Sequence, residues 1–180
     1  MAMPMGLCTR AATRWLRPGL SLATAAILAW SPLVFALPPA QDLAADARQM
    51  REQKLPMLVL YSRDGCGWCE RARVHHLDPL AADPATASRV LIRQIDVDRR
   101  TAITDFSGKA GNHRDFARSR KIRLTPTIEL LGPDGETLAE AIVGVRLPDC
   151  YGTYSDRAID TARGRLHEKT PGNSRPRRCP

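Results

Sequence analysis

Residues 57–61 (Met-Leu-Val-Leu-Tyr) are five apolar residues in a row, set between Pro56 and a polar turn, Ser-Arg-Asp-Gly, at 62–65. A run this short and continuous reads as a strand buried in a core, with other elements packed around it. Cys66 and Cys69 follow at once, in Cys-Gly-Trp-Cys-Glu. A helix starting near Gly67 leaves the first sulfur at a helix N-terminus, where unpaired N–H groups and the positive end of the helix dipole favour thiolate over thiol. The spacing lets two thiols close a small ring reversibly, and the thiolate is the nucleophile of disulfide exchange.

The N-terminus reads as an export signal. Arg10, Arg14 and Arg17 form a positive region without an acid, residues 20–37 run apolar, and Val34-Phe35-Ala36 fits the small-residue rule for cleavage after Ala36. An uncleaved membrane anchor is the alternative, since 18 residues just span a bilayer. Pro32 and the cleavage site favour removal. The expected organisation is a signal peptide at 1–36, one domain at 37–168 and a basic tail at 169–180, with the domain exported to a bacterial periplasm.

Export changes what the cysteines mean. Beyond Cys8 the chain holds Cys66, Cys69, Cys150 and Cys179. In an oxidising compartment four thiols have three possible pairings. A Cys66–Cys69 pair leaves Cys150 and Cys179 as a staple for the tail, and a free or redox-active Cys150 stays open.

The formal charge of +8 is confined to the ends. Three of the 27 basic residues lie in the signal segment and six in the last 18 residues, the latter beside one of the 19 acids; 18 bases and 18 acids remain between. The body is neutral. The tail, rich in Arg, Pro and Gly, reads as a solvated, disordered terminus able to touch an anionic surface. Nothing resembles a nucleic-acid module.

Apolar spacing predicts a helix over about 40–53, the strand at 57–61, and a helix from Gly67 that buries Ala72, Val74 and Leu77 and is kinked or ended by Pro79. A second strand at 90–97, reached through a helix, should lie parallel to the first. Residues 98–112 read as a loop and 113–121 as a short helix presenting Phe116 and Ala117. A strand at 127–131, a Gly-Pro-Asp-Gly turn and a returning strand at 136–143 make a hairpin. A last helix at 155–167 buries Ala158, Ile159 and Ala162.

This order, with Cys-Gly-Trp-Cys after the first core strand and Thr125-Pro126-Thr127 before the hairpin, resembles the thioredoxin family over roughly residues 40–168. The resemblance implies an α/β thioredoxin-like fold: a mixed central sheet, parallel strands plus a C-terminal antiparallel hairpin, with helices on both faces. It implies that Cys66 is the nucleophile and Cys69 the resolving cysteine. Pro126 should be cis and lie against the disulfide, with the Thr125 backbone ready to pair with an extended substrate. Gly67 and Trp68 would tune the potential, and Trp68 offers a flat apolar contact. No organic cofactor and no metal are implied. The implied partners are protein disulfides or thiols and a redox partner in the membrane or periplasm, the chain itself acting as a monomer.

Three positions depart from the best-known pattern of that family. Gly65 stands where tryptophan is usual, Leu60 where a buried aspartate takes the resolving thiol's proton, and Glu70 where lysine is common. Glu70 is the substitute acceptor expected here. Around Cys66, Arg63, Arg71 and Arg73 favour the thiolate while Asp64 and Glu70 oppose it. Exposed charges of this kind are weak and screened.

Two other classes compete. Cys66, Cys69 and His75 have a metal-ligand spacing, and a copper or zinc carrier using the dithiol, with His76 as a further ligand, is the rival class. Zinc normally needs a fourth ligand, and surface histidines are the simpler reading. Covalent haem needs histidine directly after Cys69, where Glu70 stands. A redox-inert binding domain keeping the fold is the third reading. Among disulfide enzymes, the mature chain is short for an added dimerisation domain, which counts against an isomerase of the familiar dimeric kind, and reductase rather than oxidase is the expected direction.

Overall fold

The computed structural model describes residues 37–145 and 151–169. Residues 1–36, expected to be a signal peptide, lie outside them with Cys8, Cys150, Cys179 and the last eleven residues, and so does any pairing of Cys150 with Cys179. Among the described residues no helix is long and apolar enough to cross a membrane.

The elements run α1 (Leu43–Gln53), β1 (Met57–Ser62), α2 (Gly67–Ala72), a π turn (Arg73–Leu77), α3 (Asp78–Ala82), α4 (Pro84–Ala87), β2 (Leu91–Asp96), β3 (Ala102–Thr104), β4 (Ala110–Asn112), α5 (His113–Ser119), β5 (Thr127–Leu131), β6 (Ile142–Val143) and α6 (Tyr151–Lys169). The main sheet has the order β2-β1-β5-β6. β1 pairs parallel with β2, Met57 opposite Leu91, and antiparallel with β5, Met57 opposite Leu131. The fold is a mixed α/β sheet with helices, as the sequence predicts.

β1 is central because every one of its residues is buried. Its side chains alternate between two cores. Leu58 and Leu60 join Ile92, Ile128 and Leu130 under Ala72, Leu77, Ile159 and Ala162, the buried faces of α2, the π turn and α6. Met57, Val59 and Tyr61 join Ile95 and Leu131 under Leu43 and Met50 of α1 and Ala117 of α5. Each fully buried aliphatic side chain contributes about 1.5–3 kcal/mol. Arg89 ties α6 down through Asp156 (3.3 Å) and Asp160 (2.9 Å).

Four elements differ from the sequence reading. Pro79 neither ends nor breaks the helix. The Asp78 N–H bonds to the carbonyl of Arg73, one residue further back than in an α-helix. This π turn lets the chain continue with Pro79 in the first turn of α3, where its missing N–H costs little. Val74, expected to be buried, is 42% exposed, since two residues from buried Ala72 is about 200° round a helix. Residues 98–112 contain the β3–β4 hairpin, whose three-residue strands carry too little apolar pattern to be seen.

The returning strand is reduced to Ile142–Val143 and a single bridge from Thr137 to Leu131. α6 begins at Tyr151, earlier than residue 155. Residues 38–40 also run along β2, with the Ala40 N–H on the Gln94 carbonyl and the Gln94 N–H on the Pro38 carbonyl, both 2.9 Å.

Candidate active site

The site sits where β1 ends. Gly65 turns the chain with φ +67°, in the left-handed region that favours glycine, and α2 begins two residues later. Cys66 is the N-cap of α2, and its Sγ accepts the Cys69 N–H at 3.2 Å. Cys66 and Cys69 form a disulfide with Cα atoms 5.2 Å apart. The two sulfurs differ in access: Cys66 is half-buried and Cys69 fully buried, so an incoming group meets Cys66 first.

Thr125 closes the other side. Its hydroxyl lies 3.8 Å and its carbonyl oxygen 3.9 Å from Cys66 Sγ. The Thr125–Pro126 peptide bond is cis and Pro126 is buried. The structure thus brings together Cys66, Cys69 and Thr125, with Pro126 next in the chain. The contact of the Thr125 hydroxyl with the sulfur is not visible in the sequence, which marks only the backbone there.

Trp68 is 53% exposed, with the Arg71 guanidinium 4.7 Å over its ring. Such a cation–π contact steadies a ring that stays largely open to solvent. Leu124, next to Thr125, is 64% exposed. Two large exposed apolar side chains therefore stand within two residues of Cys66 or Thr125 in the chain, of which the sequence reading found only Trp68. Gly67 is exposed, and a side chain there would meet nothing within 4 Å.

Of the charges around Cys66, Arg73, Glu70 and Asp64 are paired, whereas Arg63 and Arg71 are in no ion pair among the described residues. Arg73 binds Glu70 at 2.6 Å and Asp78 at 2.8 Å, and Asp64 binds Arg99 at 2.7 Å. Burial pushes the Asp78 carboxyl up from its ordinary range, with Arg73 pulling it back and Glu70 adding to the rise. Glu70 itself faces solvent, its side chain 62% exposed. Leu60, at the position of the expected aspartate, is fully buried in the first core.

His75 is exposed and His76 half-buried, with the His76 imidazole held below its ordinary range by burial and by His75. Among the described residues no group of three or more His, Cys, Asp or Glu side chains is placed to hold a metal ion.

Residues 43–151 match the family model of the thioredoxin-like domain, and the chain belongs to that family. With its paired Cys66 and Cys69, membership supports thiol:disulfide oxidoreductase activity. No curated protein matches the sequence.

Among solved structures, the chain is similar to mitochondrial thioredoxin 3 of Saccharomyces cerevisiae in its oxidized form, at 19% identity and a TM-score of 0.46, covering 69% of this chain and 94% of that one. A thioredoxin h of poplar is 18% identical with a TM-score of 0.46, over 66% of this chain and 95% of its own. Trxlp of Edwardsiella tarda is 19% identical with a TM-score of 0.46, over 66% and 97%. The family assignment rests on the match over residues 43–151.

Proposed function

We propose that the protein is an exported disulfide reductase in which Cys66 attacks and Cys69 resolves. The observation that carries this reading is the asymmetry of the pair: the accessible Cys66 sulfur caps a helix and touches Thr125, while Cys69 is buried behind it.

In the reduced protein, the α2 N-terminus and the Cys69 N–H favour the Cys66 thiolate. This thiolate attacks one sulfur of a substrate disulfide, forming a mixed disulfide and releasing the other sulfur as thiolate. Cys69 then loses its proton and attacks Cys66 Sγ. That step closes the Cys66–Cys69 disulfide and releases the second substrate thiolate, so two electrons have passed to the substrate. Leu60 has no group to accept the Cys69 proton. Glu70, next in the chain and open to solvent, is the acceptor we assign, reached through water.

Thr125 and Pro126 line the groove in which an extended substrate pairs with the Thr125 backbone. Exposed Trp68 and Leu124 supply apolar contact on either side of that junction in the sequence. Gly67 keeps the approach to the disulfide open.

The reducing direction is supported by how few hydrogen-bond donors reach the Cys66 sulfur. A strong oxidant is one whose reduced form is specially stabilised. Here the donors at Cys66 Sγ are one backbone N–H at 3.2 Å and one hydroxyl at 3.8 Å, and Arg73 is engaged elsewhere. Export through the segment at 1–36 would place this chemistry in the periplasm, with protein disulfides as substrates and a membrane or periplasmic donor returning electrons. Equilibration of Cys66/Cys69 in glutathione buffers tests the direction. A potential of about −270 mV fits the proposal, and one of about −120 mV makes the protein an oxidant.

A further inference from the structure

Beside the Cys66–Thr125 contact lies a cavity of about 180 Å³ whose lining includes Arg63, Arg114, Arg118, Arg123 and Thr125. The four arginines come from three segments: the turn after β1, α5, and the stretch leading to Thr125. Arg114 and Arg118 are one helical turn apart and so share a face of α5.

Gathering four guanidinium groups costs repulsion that the protein does little to offset. Among the described residues neither Arg63 nor Arg123 has an ion-pair partner. Arg118 has only Asp115, at 3.6 Å with both side chains in solvent. Arg114 donates to the carbonyl oxygen of Asp98 rather than to a carboxylate. Of the acids nearby, Asp64 is held by Arg99 (2.7 Å), and the Asp98 carboxylate accepts the Asp64 N–H (3.0 Å) with its other oxygen buried and unbonded, so a single negative charge offsets only part of the four positive ones. Positive charge therefore remains unspent around a small hollow.

We propose that this cavity is a carboxylate-binding subsite that selects protein substrates carrying an acidic residue beside the cysteine attacked by Cys66. The inference rests on the disulfide-exchange reading above and adds the substrate class to it. Thr125 is the link, since it lines the cavity and also touches Cys66 Sγ. A peptide laid along Thr125 with its sulfur at Cys66 has a neighbouring side chain within reach of the arginines. Arginine suits the task because its planar fork binds a carboxylate through two parallel hydrogen bonds. The same charge repels substrates with lysine or arginine there, so the subsite discriminates in both directions.

Three disulfide peptides identical except for Glu, Gln or Lys beside the cysteine test this with the full-length reduced protein. At low ionic strength kcat/KM for the Glu peptide should exceed that for the Gln peptide about tenfold, with the Lys peptide slowest, and added salt should shrink the spread. Arg118→Gln combined with Arg123→Gln should bring the Glu/Gln ratio close to one, and Arg118→Glu with Arg123→Glu should turn the preference towards Lys. Arg48→Gln with Arg157→Gln removes the same net charge elsewhere and should keep the wild-type ratio.

Equal rates on all three peptides would overturn the subsite and leave the reductase standing. So would a collapse of the ratio in the Arg48/Arg157 control, which would mean net charge alone. No exchange with any peptide would remove the reductase reading and the subsite with it.

Discussion

Thr125 meets Cys66 with two oxygens of opposite effect: a hydroxyl 3.8 Å from Sγ that can donate to it, and a carbonyl oxygen 3.9 Å away that cannot. A donor favours the thiolate and a lone acceptor disfavours it. The side chain of Thr125 is thus part of the chemistry at Cys66, in addition to its backbone.

Thr125→Val keeps the branched shape and the carbonyl but loses the donor. Alkylation of the reduced Cys66 by iodoacetamide at pH 7 should slow about two- to fivefold, the worth of one modest hydrogen bond. An unchanged rate would show that the hydroxyl is a bystander.

Gly65 and Gly67 should respond differently to the same substitution. A Cβ at either position meets nothing within 4 Å, but only Gly65 has positive φ. Gly65→Ala should cost about 1–2 kcal/mol in urea unfolding, from backbone strain alone. Gly67→Ala, in the first turn of α2, should change stability by less than about 0.5 kcal/mol. Equal costs would contradict the turn geometry.

The residues that made this site legible are those whose spacing is local. The strand at 57–61, the turn at Gly65, the helix after Cys66 and the Thr-Pro-Thr segment each read directly from neighbours in the chain. What escaped depends on residues far apart. Arg114, Arg118 and Arg123 look like ordinary surface charges until folding sets them around one cavity with Arg63. The π turn at Arg73–Leu77 hides because its cause, Pro79, lies beyond it and predicts a break equally well. Likewise nothing local marks Glu129, inside the strand at 127–131, as buried and bonded to Tyr61 and Arg120.

That last cluster holds β1, β5 and the end of α5 together. Glu129 accepts from the Tyr61 hydroxyl at 2.7 Å and from Arg120 at 3.0 and 3.1 Å. Glu129→Leu leaves the partly buried Arg120 charge without its carboxylate and should cost about 3 kcal/mol or more. Burial, then Glu129, hold the Tyr61 hydroxyl well above its ordinary value. As pH rises past about 10 the unfolded chain loses this proton first, so stability present below that pH is lost above it. Urea midpoints across pH 9–11 should fall, and fall less steeply in Tyr61→Phe.

Glu70 is assigned the proton of Cys69, although it is exposed and paired with Arg73. Glu70→Gln should shift the pH profile of mixed-disulfide resolution by Cys69 while leaving alkylation of Cys66 unaltered. An unchanged resolution profile would hand the proton to water alone.

The division of labour between the two cysteines is tested most directly by trapping. Reduced Cys69→Ser protein mixed with insulin should accumulate a one-to-one mixed disulfide, which peptide mass mapping places on Cys66. Reduced Cys66→Ser protein should form no such adduct at a comparable rate, because Cys69 is buried. Equal trapping on Cys69 in the second variant, or none on Cys66 in the first, would contradict the assignment.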